Sequence, residues 1–201
     1  MIVVVGVMMI AAGHGSAREP RVVRSLLEAR HDNVVLQEWD LSCGAAAITT
    51  ILNYQFGEVV TEREVARTLM QRAKYIENPE LVNLQEGFSL LDLKRLVDGL
   101  GYEGIGFGQV ELEALLERAP AIVPINTHGY NHFVVVRGMA GDRVLMADPA
   151  WGNRTMTRDD FVRAWIDYDD FGHVAFVVTR DGEIAPPAGL APALDHFLTF
   201  N

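Results

Sequence analysis

The sequence predicts an α+β fold in which an N-terminal helical half packs on a C-terminal antiparallel sheet. Helical periodicity dominates the first half of the chain, and apolar, β-branched runs of strand length follow after residue 120. Within the second half, Phe133–Ala147 contains two such runs separated by glycines, which is typical of a hairpin. At 201 residues the chain is long enough to form one hydrophobic core.

Four helices are predicted in the first half from periodicity and start signals: Cys43–Tyr54, Thr61–Arg72, Ser89–Gly99 and Glu111–Arg118. Two of them begin with a capping box, in which Thr61 is followed by Glu64 and Ser89 by Asp92. The segment Lys74–Gly87 between these two helices is predicted to be irregular, and long irregular segments are often functional.

Four strands are predicted in the second half from runs of β-branched and apolar residues: Ala121–Asn126, Phe133–Arg137, Arg143–Ala147 and Val174–Thr179. One more helix, Arg158–Ile166, is expected after a cap near Thr157. Residues upstream of the first long helix, Arg18–Asn33, are predicted to form a short helix or to lead into a strand.

The N-terminal residues carry a candidate export signal. Met1–Ala12 is nearly all apolar, too short to span a bilayer, and small residues at Gly15 and Ala17 suit a signal-peptidase site. No lysine or arginine precedes this run, and a buried strand over Ile2–Val7 is the alternative. We therefore expect a signal peptide at residues 1–17, a domain at 18–180, a tail at 181–201, and a periplasmic or secreted protein without a stable membrane span after cleavage.

Charge excludes one class of partner. The chain has 27 acidic and 17 basic residues, a net charge of −10, and no basic run. Since nucleic-acid binding needs clustered lysine and arginine to neutralise phosphates, we expect no nucleic-acid partner. No pattern predicts a cofactor.

The only cysteine of the chain, Cys43, stands where a polar loop turns into a helix. The positive end of the helix dipole favours a thiolate, and the small residues Gly44–Ala47 allow another segment to approach the sulfur. Gln37, six residues upstream, can bring a side-chain amide to the same place as an oxyanion donor. The alternative is a buried structural cysteine, but an unpaired thiol in an exported protein favours a functional role.

His132 and Asp148 flank the predicted hairpin. If the hairpin centres on Ala140, Val136 faces Val144 and His132 faces Asp148, whose side chains would then meet at its open end. A one-residue slip would separate them. An aspartate beside a histidine fixes the imidazole tautomer and supports the imidazolium, as a catalytic triad requires.

Each of these two residues also has a plainer interpretation. His132 can be a hydrogen-bonded histidine at a strand start, and Asp148 can be a turn residue before Pro149. A zinc site formed by His128, His132 and Asp148 is a further alternative, although Gly129 argues against the helix that an i, i+4 histidine pair needs. We predict no metal.

Four motifs together resemble the bacteriocin-processing, double-glycine peptidase family of papain-like cysteine peptidases: Gln37, Asp40-Leu41-Ser42-Cys43-Gly44-Ala45-Ala46-Ala47, His132-Phe133-Val134-Val135-Val136 and Asp148-Pro149. The resemblance covers Val35–Thr179 and implies a papain-like peptidase domain within residues 18–180. It implies Cys43 as nucleophile, His132 as general base, Asp148 as the residue that orients it, and Gln37 as oxyanion donor.

Members of this family usually form the N-terminal domain of an ABC exporter and cut a leader after Gly-Gly. This chain has no transporter segments and is more similar to stand-alone, exported members, some of which accompany functional-amyloid secretion systems; Gly87–Leu93 is similar to a segment of those proteins. The resemblance implies a peptide or protein substrate and a secretion system as partner. A peptidase-like module that binds without cutting, and an amidase or transglutaminase-like enzyme, are the alternatives.

Overall fold

The computed structural model of the protein describes residues 25–84, 87–181, 188–192 and 197. The expected signal peptide, residues 1–17, and most of the expected tail lie outside the described residues. Within the described part of the chain, no helix is long and apolar enough to cross a membrane.

Eight helices are described, and they are numbered in chain order: α1 Leu26–Arg30, α2 Cys43–Phe56, α3 Glu62–Met70, α4 Ala73–Glu77, α5 Leu81–Leu84, α6 Leu90–Gly99, α7 Leu112–Glu117 and α8 Arg158–Ala164. Both predicted capping boxes are present. The Thr61 side chain accepts from the backbone N–H of Glu64, and the Ser89 side chain from that of Asp92. These caps therefore begin α3 and α6 where the sequence predicts.

Eight strands are described: β1 Glu103–Phe107, β2 Ala121–Thr127, β3 Tyr130–Ala140, β4 Arg143–Asp148, β5 Gly152–Thr157, β6 Asp167–Tyr168, β7 Gly172–His173 and β8 Ala175–Thr179. Six of them form one antiparallel sheet in the order β1-β8-β2-β3-β4-β5, and β6 pairs with β7 separately. The predicted antiparallel sheet is confirmed.

Helices cover both faces of the sheet. One core joins residues of α2, α3 and α6 to one sheet face, including Val135 and Ala147. A second core joins α7 and α8 to the opposite face, including Val134 and Met146. Because Cys43 through Leu52 of α2 are all buried, that helix runs through the interior instead of burying a single stripe.

Some elements differ from the sequence prediction. The segment predicted to be irregular contains the short helices α4 and α5. Four of the described strands were not predicted. Two of them, β6 and β7, have only two residues each. Of the other two, β1 has glycine at two of its five positions, and β5 is mostly polar. Both are edge strands, which pair with a neighbouring strand on one side only. Because an edge strand can be largely polar, its sequence shows only a weak hydrophobic pattern.

The predicted register of the β3–β4 hairpin is wrong. Ala140 pairs with Arg143, and after a bulge between Val136 and Gly138 the pairs become Val136 with Met146 and Val135 with Ala147. If the pairing set by the two-residue turn continued without a bulge, every pair beyond Gly138 would be one position away from the observed pair. His132 and Asp148 would then lie on opposite faces of the sheet. The extra residue in the bulge restores the alternation, so both side chains lie on the same face as Val134 and Met146.

Arg137 is the extra residue of this bulge, and its side chain is fully buried. Its guanidinium donates to the carbonyls of Leu190 (3.1 Å), Gly189 (3.3 Å) and Ala191 (3.0 Å), and to Asn153 Oδ1 of β5 (3.0 Å). Leu190 itself is fully buried in the core. The segment 188–192 thus packs against the body of the protein at the bulge.

Candidate active site

Cys43 is the first residue of α2 and is almost fully buried. A Cβ on Gly44 would lie at ordinary van der Waals distance from the Phe133 ring (3.4 Å) and from Leu93 (3.6 Å), so a side chain longer than that of alanine would crowd this contact. The small residue that follows the cysteine therefore allows β3 and α6 to pack closely against the start of α2, as the sequence predicts.

The surroundings of Cys43 contain groups that lower the pKa of its thiol and others that raise it. Hydrogen bonds from the backbone N–H groups of Phe133, Gly44 and Cys43 itself lower the pKa of the thiol. Burial raises this pKa by more, and the negative charge of Asp148 adds to the increase. The net effect of these surroundings is to raise the pKa of the Cys43 thiol above its ordinary value. The thiolate expected from the helix start alone is outweighed by desolvation.

His132 and Asp148 are in contact, as predicted, despite the different register. His132 Nε2 lies 3.1 Å from Asp148 Oδ2, and both side chains are buried. His132 sits in β3 opposite Ile125 of β2, and Asp148 ends β4. The pair is diagonal across the ladder, a geometry that long side chains can bridge.

The other ring nitrogen of His132, Nδ1, is not used in the contact with Asp148. Nδ1 is buried and has no hydrogen-bond partner among the described residues. The Tyr130 ring stacks on the imidazole with centroids 5.1 Å apart, which fixes its plane. With Nε2 bonded to Asp148, Nδ1 is the nitrogen that remains for proton transfer.

Cys43 and His132 line the same cleft, which has a volume of about 440 Å³. Its walls come from residues 88–90 at the start of α6, from residues 131–133 of β3, and from apolar side chains of the segment that includes Tyr168 and Phe171. A mostly apolar cleft with a thiol and an imidazole at its base is suited to an extended peptide.

A buried carboxylate fixes one wall of this cleft. Asp92, fully buried at the start of α6, accepts from Tyr75 OH (2.5 Å), Ser89 Oγ (2.8 Å) and Lys74 Nζ (2.9 Å), and it also contacts Arg72. These bonds tie α4 to residues that line the cleft. The capping box seen in the sequence thus also shapes the candidate site.

Gln37 lies beside the site but outside the Cys43 cleft. Its backbone N–H donates to Pro149 O at 2.8 Å, which holds it next to the residue after Asp148. Its Nε2 donates to Trp39 O (3.0 Å) and Asp40 O (3.3 Å). The side chain lines a neighbouring cavity of about 600 Å³, so the structure does not bring its amide into the cleft with Cys43 and His132.

Arg154 is a further residue of the site, and no sequence motif indicated it. Its Nε lies 2.7 Å from Asp148 Oδ2, the same oxygen that His132 contacts. The other oxygen, Oδ1, accepts from the Ala150 N–H at 2.8 Å. Arg154 belongs to β5, an edge strand that was not predicted; alternation from Gly152 would have placed it on the Asp148 face.

The zinc alternative finds no support in the geometry. His128 occupies, with Gly129, a two-residue turn between β2 and β3 in which both residues have positive φ (56° and 83°). It is therefore not on a helix with His132. Among residues 25–84, 87–181 and the short C-terminal pieces, no three His, Cys, Asp or Glu side chains are grouped to hold a metal ion.

Comparison with known proteins identifies the family of this chain. Residues 31–168 match the Peptidase C39 family. A probable functional amyloid protease FapD from Pseudomonas fluorescens is 37% identical over 160 residues, which cover 80% of this chain and 69% of that protein. The protein of the same name from Pseudomonas aeruginosa is 38% identical over 145 residues, 71% of this chain and 61% of that one. The chain thus spans part of each relative's length.

Solved structures show the same fold. A double glycine motif protease from an AMS/PCAT transporter, solved with its leader peptide, has a TM-score of 0.58 at 23% identity and covers 75% of this chain and 95% of that one. The peptidase domain of Streptococcus ComA has a TM-score of 0.57 at 18% identity, covering 75% of this chain and all of that one. The papain-like α+β fold implied by the resemblance is confirmed.

The resemblance to double-glycine peptidases and to proteases of functional-amyloid systems is confirmed by these matches. They also favour an enzyme over a module that binds without cutting. The chain belongs to the peptidase C39 family and is a cysteine peptidase.

Proposed function

We propose that this protein is an endopeptidase that uses a Cys43–His132–Asp148 triad to hydrolyse a peptide bond of an exported protein or of its leader. One observation carries the proposal. His132 is bonded through Nε2 to Asp148, its buried Nδ1 has no hydrogen-bond partner among the described residues, and His132 and Cys43 line the same cleft. A histidine that is held by a hydrogen bond at one ring nitrogen can accept and return a proton at the other.

The first half-reaction forms an acyl-enzyme. As the peptide enters, His132 Nδ1 takes the proton of the Cys43 thiol, and the sulfur attacks the scissile carbonyl carbon. Since burial raises the pKa of the Cys43 thiol, the proposed transfer takes place as the peptide binds. The C–N bond then breaks, the imidazolium returns its proton to the leaving amine, and a thioester remains.

The second half-reaction releases the acyl product. Water attacks the thioester carbon while His132 takes one of its protons, and the C–S bond breaks. The imidazolium protonates the departing thiolate, which restores Cys43 and yields a carboxylic acid. Asp148 supports the charged imidazole in both halves of the cycle.

The oxyanion of each tetrahedral intermediate needs donors near Cys43. The Cys43 backbone N–H at the start of α2 is one, and we assign the Gln37 side-chain amide as the other. Gln37 stands one hydrogen bond away from Pro149, beside the triad. Its amide must leave the carbonyls of Trp39 and Asp40 to reach the oxyanion, so substrate binding rearranges the loop 37–42.

The relatives suggest where this reaction takes place. Two of them are named as probable functional amyloid proteases, and one fold neighbour was solved with a leader peptide. On this basis we assign the protein to the periplasm or the secreted fraction, where its substrate is an exported protein or leader handled by a secretion system. A Gly-Gly cleavage site is the first candidate to test.

The experiment compares the full chain with Cys43→Ala, after circular dichroism has shown that both are folded. Each is incubated with a quenched-fluorescence peptide containing Gly-Gly, and the new N-termini of the exported protein fraction are read by mass spectrometry. Cleavage that depends on Cys43 supports the proposal. New N-termini that appear equally with Cys43→Ala, or none with either protein, would overturn it; amide or cross-linked products would indicate acyl transfer.

A further inference from the structure

Asp148 is contacted from the strands on both sides of it. Its direct partner on β5 is Gly152, which has no side chain. Arg154, two residues further along β5, therefore reaches diagonally to Asp148, and its Nε lies 2.7 Å from Oδ2. From β3, His132 Nε2 approaches the same oxygen to 3.1 Å. One carboxylate oxygen thus contacts a permanent cation and an imidazole at once.

The contact with Arg154 keeps a positive charge beside Asp148 at every step of the proposed cycle. The Asp148 side chain is fully buried, and burying a charged carboxylate is costly unless a cation pairs with it. In the cycle His132 alternates between imidazolium and neutral imidazole. Whenever it is neutral, it supplies no positive charge to Asp148. A guanidinium stays protonated throughout.

We propose that Arg154 is a positioning residue of this peptidase: its permanent positive charge holds the Asp148 carboxylate turned towards His132 through the steps in which His132 is neutral. It touches neither the thiol nor the proposed substrate cleft. The Ala150 N–H, bonded to Oδ1 at 2.8 Å, completes the orientation of the carboxylate. The inference rests on the proposed triad mechanism.

Other charged and titratable groups surround this cluster: Cys43 from α2, Tyr130 from β3, Asp40 from the loop before α2, His128 from the β2–β3 turn, and Arg30 from α1, which lies against Gly152. Among the described residues, the cationic side chains in contact with Asp148 are His132 and Arg154. Of these two, Arg154 alone cannot lose its charge during the cycle.

The test uses variants of the full chain. Arg154→Met removes the charge at similar length, Arg154→Lys keeps the charge, and Asp148→Asn is examined alone and together with Arg154→Met. One readout needs no substrate: the rate at which iodoacetamide alkylates Cys43, followed by mass spectrometry across pH. The other is kcat and KM on the Gly-Gly peptide, also across pH.

Losing a positive charge makes protonation of neighbouring groups easier. For Arg154→Met we expect the alkylation curve and the acid limb of kcat/KM to move to higher pH by about one unit. We expect kcat to fall about 10- to 100-fold with KM little changed, as for a misplaced catalytic group. Arg154→Lys should stay close to wild type. Because Arg154 acts through Asp148, the double variant should be no slower than Asp148→Asn.

Two results would overturn the role of Arg154. One is an Arg154→Met enzyme with wild-type kcat and unshifted curves. The other is an equal loss in Arg154→Met and Arg154→Lys, with unshifted curves and a lower urea midpoint, because that pattern means a purely structural ion pair. Cleavage that persists in Cys43→Ala would instead overturn the triad mechanism. If the peptide is not cut, the alkylation curves decide the case alone.

Discussion

His132 and Asp148 are joined by a 3.1 Å contact between Nε2 and Oδ2, although they do not stand opposite each other in the sheet. The bulge in β3 brings them to one face, and their side chains bridge the diagonal. The contact therefore depends on the backbone of the hairpin as much as on the two side chains, and four predictions follow for the site and its surroundings.

Replacing Asp148 with Asn should leave the fold intact and lower kcat. The amide is the same size and its oxygen can still accept from His132 Nε2, but it carries no charge to support the imidazolium. We expect a loss of about 10²-fold, smaller than the ~10⁴-fold that the corresponding change causes in serine proteases, where it imposes the wrong tautomer. Steady-state kinetics with the Gly-Gly peptide measures it. An unchanged kcat would remove Asp148 from the triad.

Replacing Gln37 with Ala should lower kcat by on the order of 10²–10³ if its amide holds the oxyanion. The fold should be little affected, because the Gln37 backbone bond to Pro149 does not need the side chain. Gln37→Glu is the matched control, since it keeps the shape but replaces the donor with a carboxylate. A loss confined to KM would assign Gln37 to substrate binding instead.

The alkylation rate of Cys43 should respond to pH as expected for a buried, protonated thiol. Its pKa is raised by burial and by Asp148, so thiolate is scarce at neutral pH and becomes available only above the ordinary thiol range. In the free protein we expect iodoacetamide labelling to rise steadily as the solution becomes alkaline. A plateau beginning at mildly acidic pH would reveal a preformed thiolate–imidazolium pair and contradict this picture.

Replacing Asp92 with Asn should destabilise the protein by about 3 kcal/mol in urea unfolding, the lower end of the range for breaking a buried ion pair. The lower end applies because Arg72 and Lys74 are partly exposed and can turn to water. Arg163→Gln, which breaks an exposed pair with Asp160, is the control and should leave the urea midpoint almost unchanged. Equal effects of the two changes would show that Asp92 is not a structural anchor.

Much of this architecture could be predicted from local signals. The capping boxes at Thr61 and Ser89 begin helices in the structure, and the small residues after Cys43 permit the close packing expected of them. The contact between His132 and Asp148 was predicted correctly from a wrong register. That success was possible because the assumed and actual pairings differ by two positions, and a shift of two keeps every side chain on its own face.

The remaining features depend on contacts between distant parts of the chain. No local pattern marks the bulge at Arg137, because its side chain is held by carbonyls of residues 189–191. Arg154 could not be predicted because its strand, β5, consists mostly of polar residues and shows no alternation of apolar and polar side chains. The raised pKa of Cys43 comes from burial, which the position at a helix start does not disclose.

The hydrogen bonds between Arg137 and the segment 188–192 join parts of the chain that are synthesised at different times. All residues of the proposed triad leave the ribosome before this segment does. Until the carbonyls of Gly189, Leu190 and Ala191 arrive, the guanidinium lacks these partners, and the bulge that aligns His132 with Asp148 is not yet secured. The geometry of the proposed triad thus depends on a segment that is made after all three of its residues.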